Sequence, residues 1–267
     1  MTLDKEHVRV LFIGDIIGEA GRKALFVSLS NLIKEKKVDF VIANGENAAG
    51  GFGITGEIAG KLYSYGVDCI TSGNHIWRNR AIFKDINGDQ KLIRPANYPK
   101  GTPGKGWTIL EKNGVKIGVL NLLGRVFMEP LDCPFRTAQR ELSAIQKYTK
   151  IIIVDFHGEA TSEKVAMGWH LNGIVSAVIG THTHVQTADE RILVGGTAYI
   201  TDAGMTGPFD SIIGIQKEIA LKKFVTMIPS KFIVAENDIR VNGVLVTIQR
   251  ESGKAVHIER VQETVPY

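Results

Sequence analysis

Short apolar runs that each stop at a polar cluster set the rhythm of the first half of the chain. Residues 8–14 (VRVLFIG) are rich in β-formers and stop at Asp15, and residues 18–37 follow as loop and helix. Residues 38–43 (VDFVIA) stop at Asn44-Gly45-Glu46-Asn47 and run into the glycine-rich segment 49–53. A helical stretch over 55–65 leads to an apolar run at 67–71, which stops at Gly73-Asn74-His75. Strand, loop and helix recurring in that order predict βαβ units and a largely parallel sheet.

The second half opens with residues 107–111 and 115–120 around Asn113-Gly114, the strongest short hairpin signal. Residues 151–156 (IIIVDF) read as a buried strand ending at His157-Gly158-Glu159. A helix over 162–171 and a strand over 175–180 lead to Thr181-His182-Thr183-His184. The tail predicts more strands at 232–235, at 239–250 with a turn at Asn242-Gly243, and at 255–261. The pattern predicts an α/β fold in one domain over residues 1–267, with two mixed sheets face to face and helices outside.

Composition narrows the function classes. With 267 residues, 44% of them hydrophobic, the chain can bury a large core. Its 32 basic and 28 acidic residues nearly cancel, and the longest basic clusters, such as Lys34-Glu35-Lys36-Lys37, contain an acid and sit at a predicted helix end. No footprint for specific nucleic-acid binding follows. Two cysteines do not make a disulfide scaffold: Cys69 lies in an apolar run, and Cys133 precedes a proline in a predicted loop with nothing local to activate it. This usage suits a reducing cytoplasm. The first residues are too charged for a signal peptide, and no run reaches the roughly 18 apolar residues of a membrane span. The expectation is a soluble cytoplasmic protein with no membrane partner.

The candidate chemistry sits where the strands stop. Asp15, Glu46-Asn47, Asn74-His75, His157 and His182/His184 all fall at the ends of apolar runs, and sites of open α/β folds collect at carboxyl ends of strands. A lone aspartate there is usually a cap, and glycine-asparagine pairs are usually turns. Two histidines two apart on a strand share a face and are seldom wanted for packing alone. Carboxylates, amide oxygens and imidazoles without thiolate suit iron, manganese or zinc. Seven donors are too many for one tetrahedral ion and fit two, with Glu46 as the shared carboxylate. Two ions about 3.5–4 Å apart polarise a phosphoryl group and generate a bridging hydroxide, leaving His75 to protonate the departing oxygen. The segment 49–53 lacks the lysine of a P-loop and the spacing of a dinucleotide fingerprint, so its glycines are expected to let the backbone pass close to the metals.

Gly14-Asp15, Asn44-Gly45-Glu46-Asn47, Gly73-Asn74-His75, His157 and Gly180-Thr181-His182-Thr183-His184 follow the motif order of the calcineurin-like metallophosphoesterases, which the chain resembles. Two departures stand out. Ile17 occupies the position of the usual first histidine, and Glu46 replaces the usual bridging aspartate, with Asn47 as an added ligand. Those departures, with the segment 202–208 (DAGMTGP), resemble the bacterial YmdB-type subfamily, a resemblance that runs from Val10 to Val261. The resemblance implies a four-layer αββα sandwich, a di-iron centre, a homo-oligomer and hydrolysis of 2′,3′-cyclic nucleotides. It implies one metal on Asp15, Glu46, Asn47 and His184, a second on Glu46, Asn74, His157 and His182, and His75 as proton donor. Arg136 could hold a phosphate oxygen or make a structural ion pair. Two other functions use the same residues: a phosphomonoesterase or protein phosphatase, and a regulatory protein that binds a nucleotide without turning it over.

Overall fold

Strand β1 (His7–Ile13) divides its apolar residues between two interiors. Val8, Val10 and Phe12 face one cluster and Leu11 and Ile13 another, because successive side chains on a strand point to opposite faces. A computed structural model describes residues 6–265 of the chain. After β1 come β2 (Asp15–Ile16), helix α1 (Gly18–Glu35), β3 (Phe40–Asn44), α2 (Gly56–Tyr65) and β4 (Cys69–Thr71). The hairpin of β5 (Trp107–Lys112) and β6 (Val115–Leu123) precedes α3 (Pro134–Ile145), β7 (Ile152–His157), α4 (Thr161–His170) and β8 (Ala177–Thr181). Last come β9 (Arg191–Ile192), β10 (Ala198–Ile200), β11 (Met205–Pro208), α5 (Lys217–Thr226) and the long pair β12 (Ile239–Gln249) and β13 (Ala255–Thr264).

One sheet runs β2-β11-β12-β1-β3-β4, with β13 also paired to β12; the other runs β5-β6-β7-β8-β10-β9. Between the sheets, Phe12, Ile42 and Val244 meet Val119, Ile153 and Ile179. On the outer face of the first sheet, Leu11, Val41 and Leu245 pack on Leu25 and Leu29 of α1 and Leu62 of α2. On the outer face of the second, Leu120, Val154 and Val178 pack on Leu142 of α3 and Met167 of α4. These interiors separate the layers of an αββα sandwich, as expected. No helix among the described residues is long and apolar enough to cross a membrane.

Both sheets have parallel centres, β1-β3-β4 in one and β6-β7-β8-β10 in the other. Their carboxyl ends meet along one edge, where Asn44 Nδ2 of β3 donates to Asp155 Oδ2 of β7 at 2.9 Å. The segments after β1, β3, β4, β7 and β8 therefore emerge together.

Several expectations change. Asn242-Gly243 is no turn: both residues lie inside the unbroken β12. Glycine is required there because a Cβ at 243 would stand 2.3 Å from the carbonyl oxygen of Phe12 on the neighbouring strand. Residues 232–235 form no strand and contribute one isolated bridge, Val234 to Ile215. Cys133 lies outside any helix, as expected, but at the N-cap of α3, with Pro134 at a first-turn position where a missing N–H costs nothing. There the backbone N–H of Arg136 holds its thiol below the usual range. Helix α5 and the short strands β2, β9, β10 and β11 carried no legible pattern in the sequence.

The Gly243 contact predicts that Gly243→Ala pushes β12 off β1 and lowers stability by about 1–3 kcal/mol. Urea denaturation measures this, and an unchanged midpoint would contradict the close approach.

Candidate metal centre

Glu46 leaves the end of β3 nearly fully buried, with its backbone N–H held by Asn44 Oδ1 at 3.0 Å. Its Oε2 lies 3.1 Å from His157 Nε2, and Asn47 Nδ2 donates to its Oε1 at 2.9 Å. Gly73, in the turn after β4, lets these groups close up: a Cβ there would fall 2.2 Å from Glu46 Oε2 and 2.4 Å from His157 Nε2.

Two donor groups form around this carboxylate. Glu46, His157 and His182 make one, and Asp15, Glu46 and His184 make the other, each with ligand atoms within 4.8 Å of one another. In the first group His157 Nε2 is 3.1 Å from Asn74 Oδ1 and 3.0 Å from His182 Nδ1. A single ring nitrogen crowded by a carboxylate, an amide oxygen and a second imidazole cannot hydrogen-bond all three. A cation held among them would satisfy all of them at once. In the second group Asp15 Oδ1 is buried with no hydrogen-bond partner, although its other oxygen accepts from the backbone N–H of His182 at 2.9 Å. An orphaned carboxylate oxygen aimed into such a cluster fits a cation too.

The electrostatics agree with the geometry. Burial raises the Asp15 carboxyl well above its usual range. Burial also works against charge on Glu46, but His157 and His75 hold its carboxyl well below the usual range. Burial disfavours protonated His157, yet Glu46, Asp15 and Asp155 carry it up to about 9. That proton sits where a metal charge would compensate the same carboxylates. Burial and the neighbouring His157 push His182 down to about 3, and burial lowers His184, so both offer neutral imidazoles.

Around the donors lies a buried polar frame that the sequence did not reveal. His157 Nδ1 donates to Thr181 Oγ1 at 2.8 Å, and that hydroxyl donates to Asp155 Oδ1 at 2.7 Å. This relay turns His157 Nε2 toward the centre. Asp155 also accepts from Thr71 and Asn44, and burial pushes its carboxyl up to about 6. Its charge inside the apolar run 151–156 was the one signal that could have found it. Asp202 accepts from Lys164 Nζ at 2.7 Å and from the backbone N–H of Thr183 at 3.0 Å, which anchors the histidine loop.

That loop overturns one expectation. β8 ends at Thr181, and His182 and His184 have φ of 105° and 66°, so they do not share a strand face. The left-handed backbone instead sends each histidine to a different donor group. His184 Nδ1 donates to the Ile213 carbonyl at 2.8 Å, which leaves Nε2 facing Asn47 Nδ2 at 3.2 Å. Asn47 thus turns its nitrogen to the cluster and its oxygen to His75 Nδ1, at 2.7 Å. His75 stands 3.4 Å from Glu46 Oε1 by the same nitrogen and touches Phe52 edge-on. Ile17 is buried, packed against the backbone of Gly207 and Gly214. Arg136 is exposed on the outer helix α3 and joins neither the cluster nor an ion pair among the described residues. The glycines at 50, 51 and 53 all take positive φ, closing a tight turn beside Glu46 and Asn47.

Comparison with known proteins places the fold and its edge in context. The chain is 50% identical over 254 residues to the 2′,3′-cyclic-nucleotide 2′-phosphodiesterase of Bacillus subtilis (strain 168), covering 95% of this chain and 96% of that protein. The crystal structure of a novel phosphatase from Mycoplasma pneumoniae matches with a TM-score of 0.91 at 34% identity over 97% of this chain and 94% of that one. A hypothetical protein of Thermus thermophilus matches with a TM-score of 0.91 at 41% identity, covering 97% of this chain and 100% of that one. The architecture is that of the calcineurin-like metallophosphoesterases. With the model of the YmdB-like proteins matching residues 11–261, the chain belongs to the YmdB-like family.

Proposed function

We propose that the chain hydrolyses 2′,3′-cyclic nucleotides at a two-cation centre held by Asp15, Glu46, Asn47, Asn74, His157, His182 and His184. The observation that carries this reading is that Glu46 belongs to both donor groups, so one carboxylate links two potential cation positions. The substrate class is that named for the Bacillus subtilis relative, which is alike over nearly the whole of both chains. Cations held by these residues would supply Lewis-acid polarisation of the phosphoryl group and a water of lowered pKa. Iron, manganese and zinc all suit a donor set of imidazoles, carboxylates and amide oxygens.

The remaining work falls to the chain. The Asp155–Thr181 relay keeps His157 Nε2 inward, and Asp202 with Lys164 holds the strained histidine loop in place. Asn47 points its nitrogen at the cluster and its oxygen at His75 Nδ1, so it would hold a cation only after its amide turned over. Protonated His75 carries an N–H at both ring nitrogens; its Nδ1 faces Glu46 Oε1 at 3.4 Å, which leaves the Nε2 proton to be given up. His75 then protonates the oxygen that leaves phosphorus, as general acid. A phosphomonoesterase is the second reading, favoured by the likeness to the Mycoplasma pneumoniae protein described as a phosphatase. Faster cleavage of p-nitrophenyl phosphate than of its bis-ester would select it.

His75→Ala is expected to lower kcat on 2′,3′-cyclic AMP by about a hundredfold or more while the bound metal stays. Steady-state assays with parallel elemental analysis measure both, and unchanged turnover would remove His75 from the chemistry. Stripping the metal is expected to lower the melting temperature, and manganese or iron to restore it, because the unfolded chain cannot assemble the site. An unaltered melting temperature after confirmed metal loss would contradict a centre that ties strand ends together.

A further inference from the structure

Between Pro208 of β11 and Ile239 of β12 the chain leaves the sheet, carries α5, and folds back across the site. Bridges Ile212–Ile215 and Ile215–Val234 tie the excursion to itself, and the Ile213 carbonyl, accepting from His184, ties it to the site. Val234 packs against the turn glycines, 3.1 Å from where a Cβ on Gly51 would be. The excursion and the turn after Glu46 enclose a cavity of about 310 Å³. Asn47, His75 and His184 border it from the candidate metal centre, Phe52 lies against His75, and Phe224, Phe232 and isoleucines complete the lining.

The chemistry of that lining is one-sided. Phe52 and Phe232 lie nearly parallel, 23° apart with centroids 6.1 Å apart, and Phe52 also touches His75 at 5.0 Å. Among the described residues, Lys223 is the one polar side chain lining the cavity besides the three from the centre, and its ammonium lies 4.6 Å over the Phe232 ring. Rings and aliphatic walls receive a flat π-face, and a lone flexible ammonium reads no fixed pattern of donors and acceptors. A cavity of this size is at the small end for ligand pockets, enough for a base and part of a ribose.

We infer that this cavity is the base subsite: the nucleobase lies against Phe232, Phe224 and Phe52 while the cyclic phosphate reaches Glu46. The inference rests on the phosphodiesterase reading and adds what that reading leaves open, namely how the nucleoside is held. Holding by stacking without edge recognition makes the site tolerant of base identity, with purines ahead of pyrimidines through their larger faces.

The test compares two esters with the same five-membered cyclic phosphate, 2′,3′-cyclic AMP and glycerol 1,2-cyclic phosphate, which has no base. Phe232→Ala is expected to lower kcat/KM on the nucleotide about tenfold or more, chiefly through KM, and to leave the glycerol ester unchanged. Equal losses on both esters, or no loss on either, would overturn the subsite. Calorimetry with adenosine 3′-monophosphate gives a reading independent of turnover. A Kd raised about tenfold in Phe232→Ala supports the subsite, and an equal Kd in both proteins overturns it. A wild-type protein that binds this nucleotide, loses it in Phe232→Ala, yet cleaves neither ester would refute the phosphodiesterase reading while upholding the cavity assignment.

Discussion

Buried negative charge is the constraint on which the rest of this molecule depends. Asp15, Glu46 and Asp155 are all withdrawn from water where the two sheets meet. A carboxylate in such a place is costly unless it is paired and hydrogen-bonded. Each is answered differently: Asp155 by hydroxyls and an amide, Glu46 by imidazoles and Asn47, and Asp15 on one oxygen alone. What is left uncompensated lies in the middle, where two donor groups share Glu46.

The fold supplies the convergence. Parallel strands in both sheets release their loops at one edge, and the sandwich brings the two edges together. Rigidity comes from underneath, through contacts that are long in sequence and short in space. Lys164 on α4 crosses to Asp202 beyond β10, and Asp202 in turn holds the loop between His182 and His184. Removing the lysine would leave a buried carboxylate unpaired beneath that loop, the costly half of a broken buried pair. The strained backbone at His182 and His184 persists because this anchor, Asp15 and the Ile213 carbonyl fix it from three sides.

Much of this is legible in the sequence. Strands such as β1, β3 and β7 are buried on both faces, so they read as plain apolar runs, and the polar residues that stop them are the donors themselves. What stayed hidden did so for physical reasons. Helix α5 leaves Leu221, Phe224 and Val225 exposed, so no stripe of buried residues marks it. Asn242-Gly243 looks like a turn because glycine serves close strand approach as well as positive φ. The Thr181 relay and the Lys164–Asp202 pair join residues far apart in the chain, which no local pattern encodes. The two histidines after β8 are legible by type, but they share no strand face, since β8 ends at Thr181 and the backbone turns left-handed at both.

The central claim is that Glu46 links two cation positions. Elemental analysis of the protein purified without added metal, beside Glu46→Ala, tests it most directly. The account predicts about two equivalents per chain for the native protein and less than about one for the variant, since both donor groups lose a shared member. A native protein with less than one equivalent, or a variant that still holds a full complement, would contradict it.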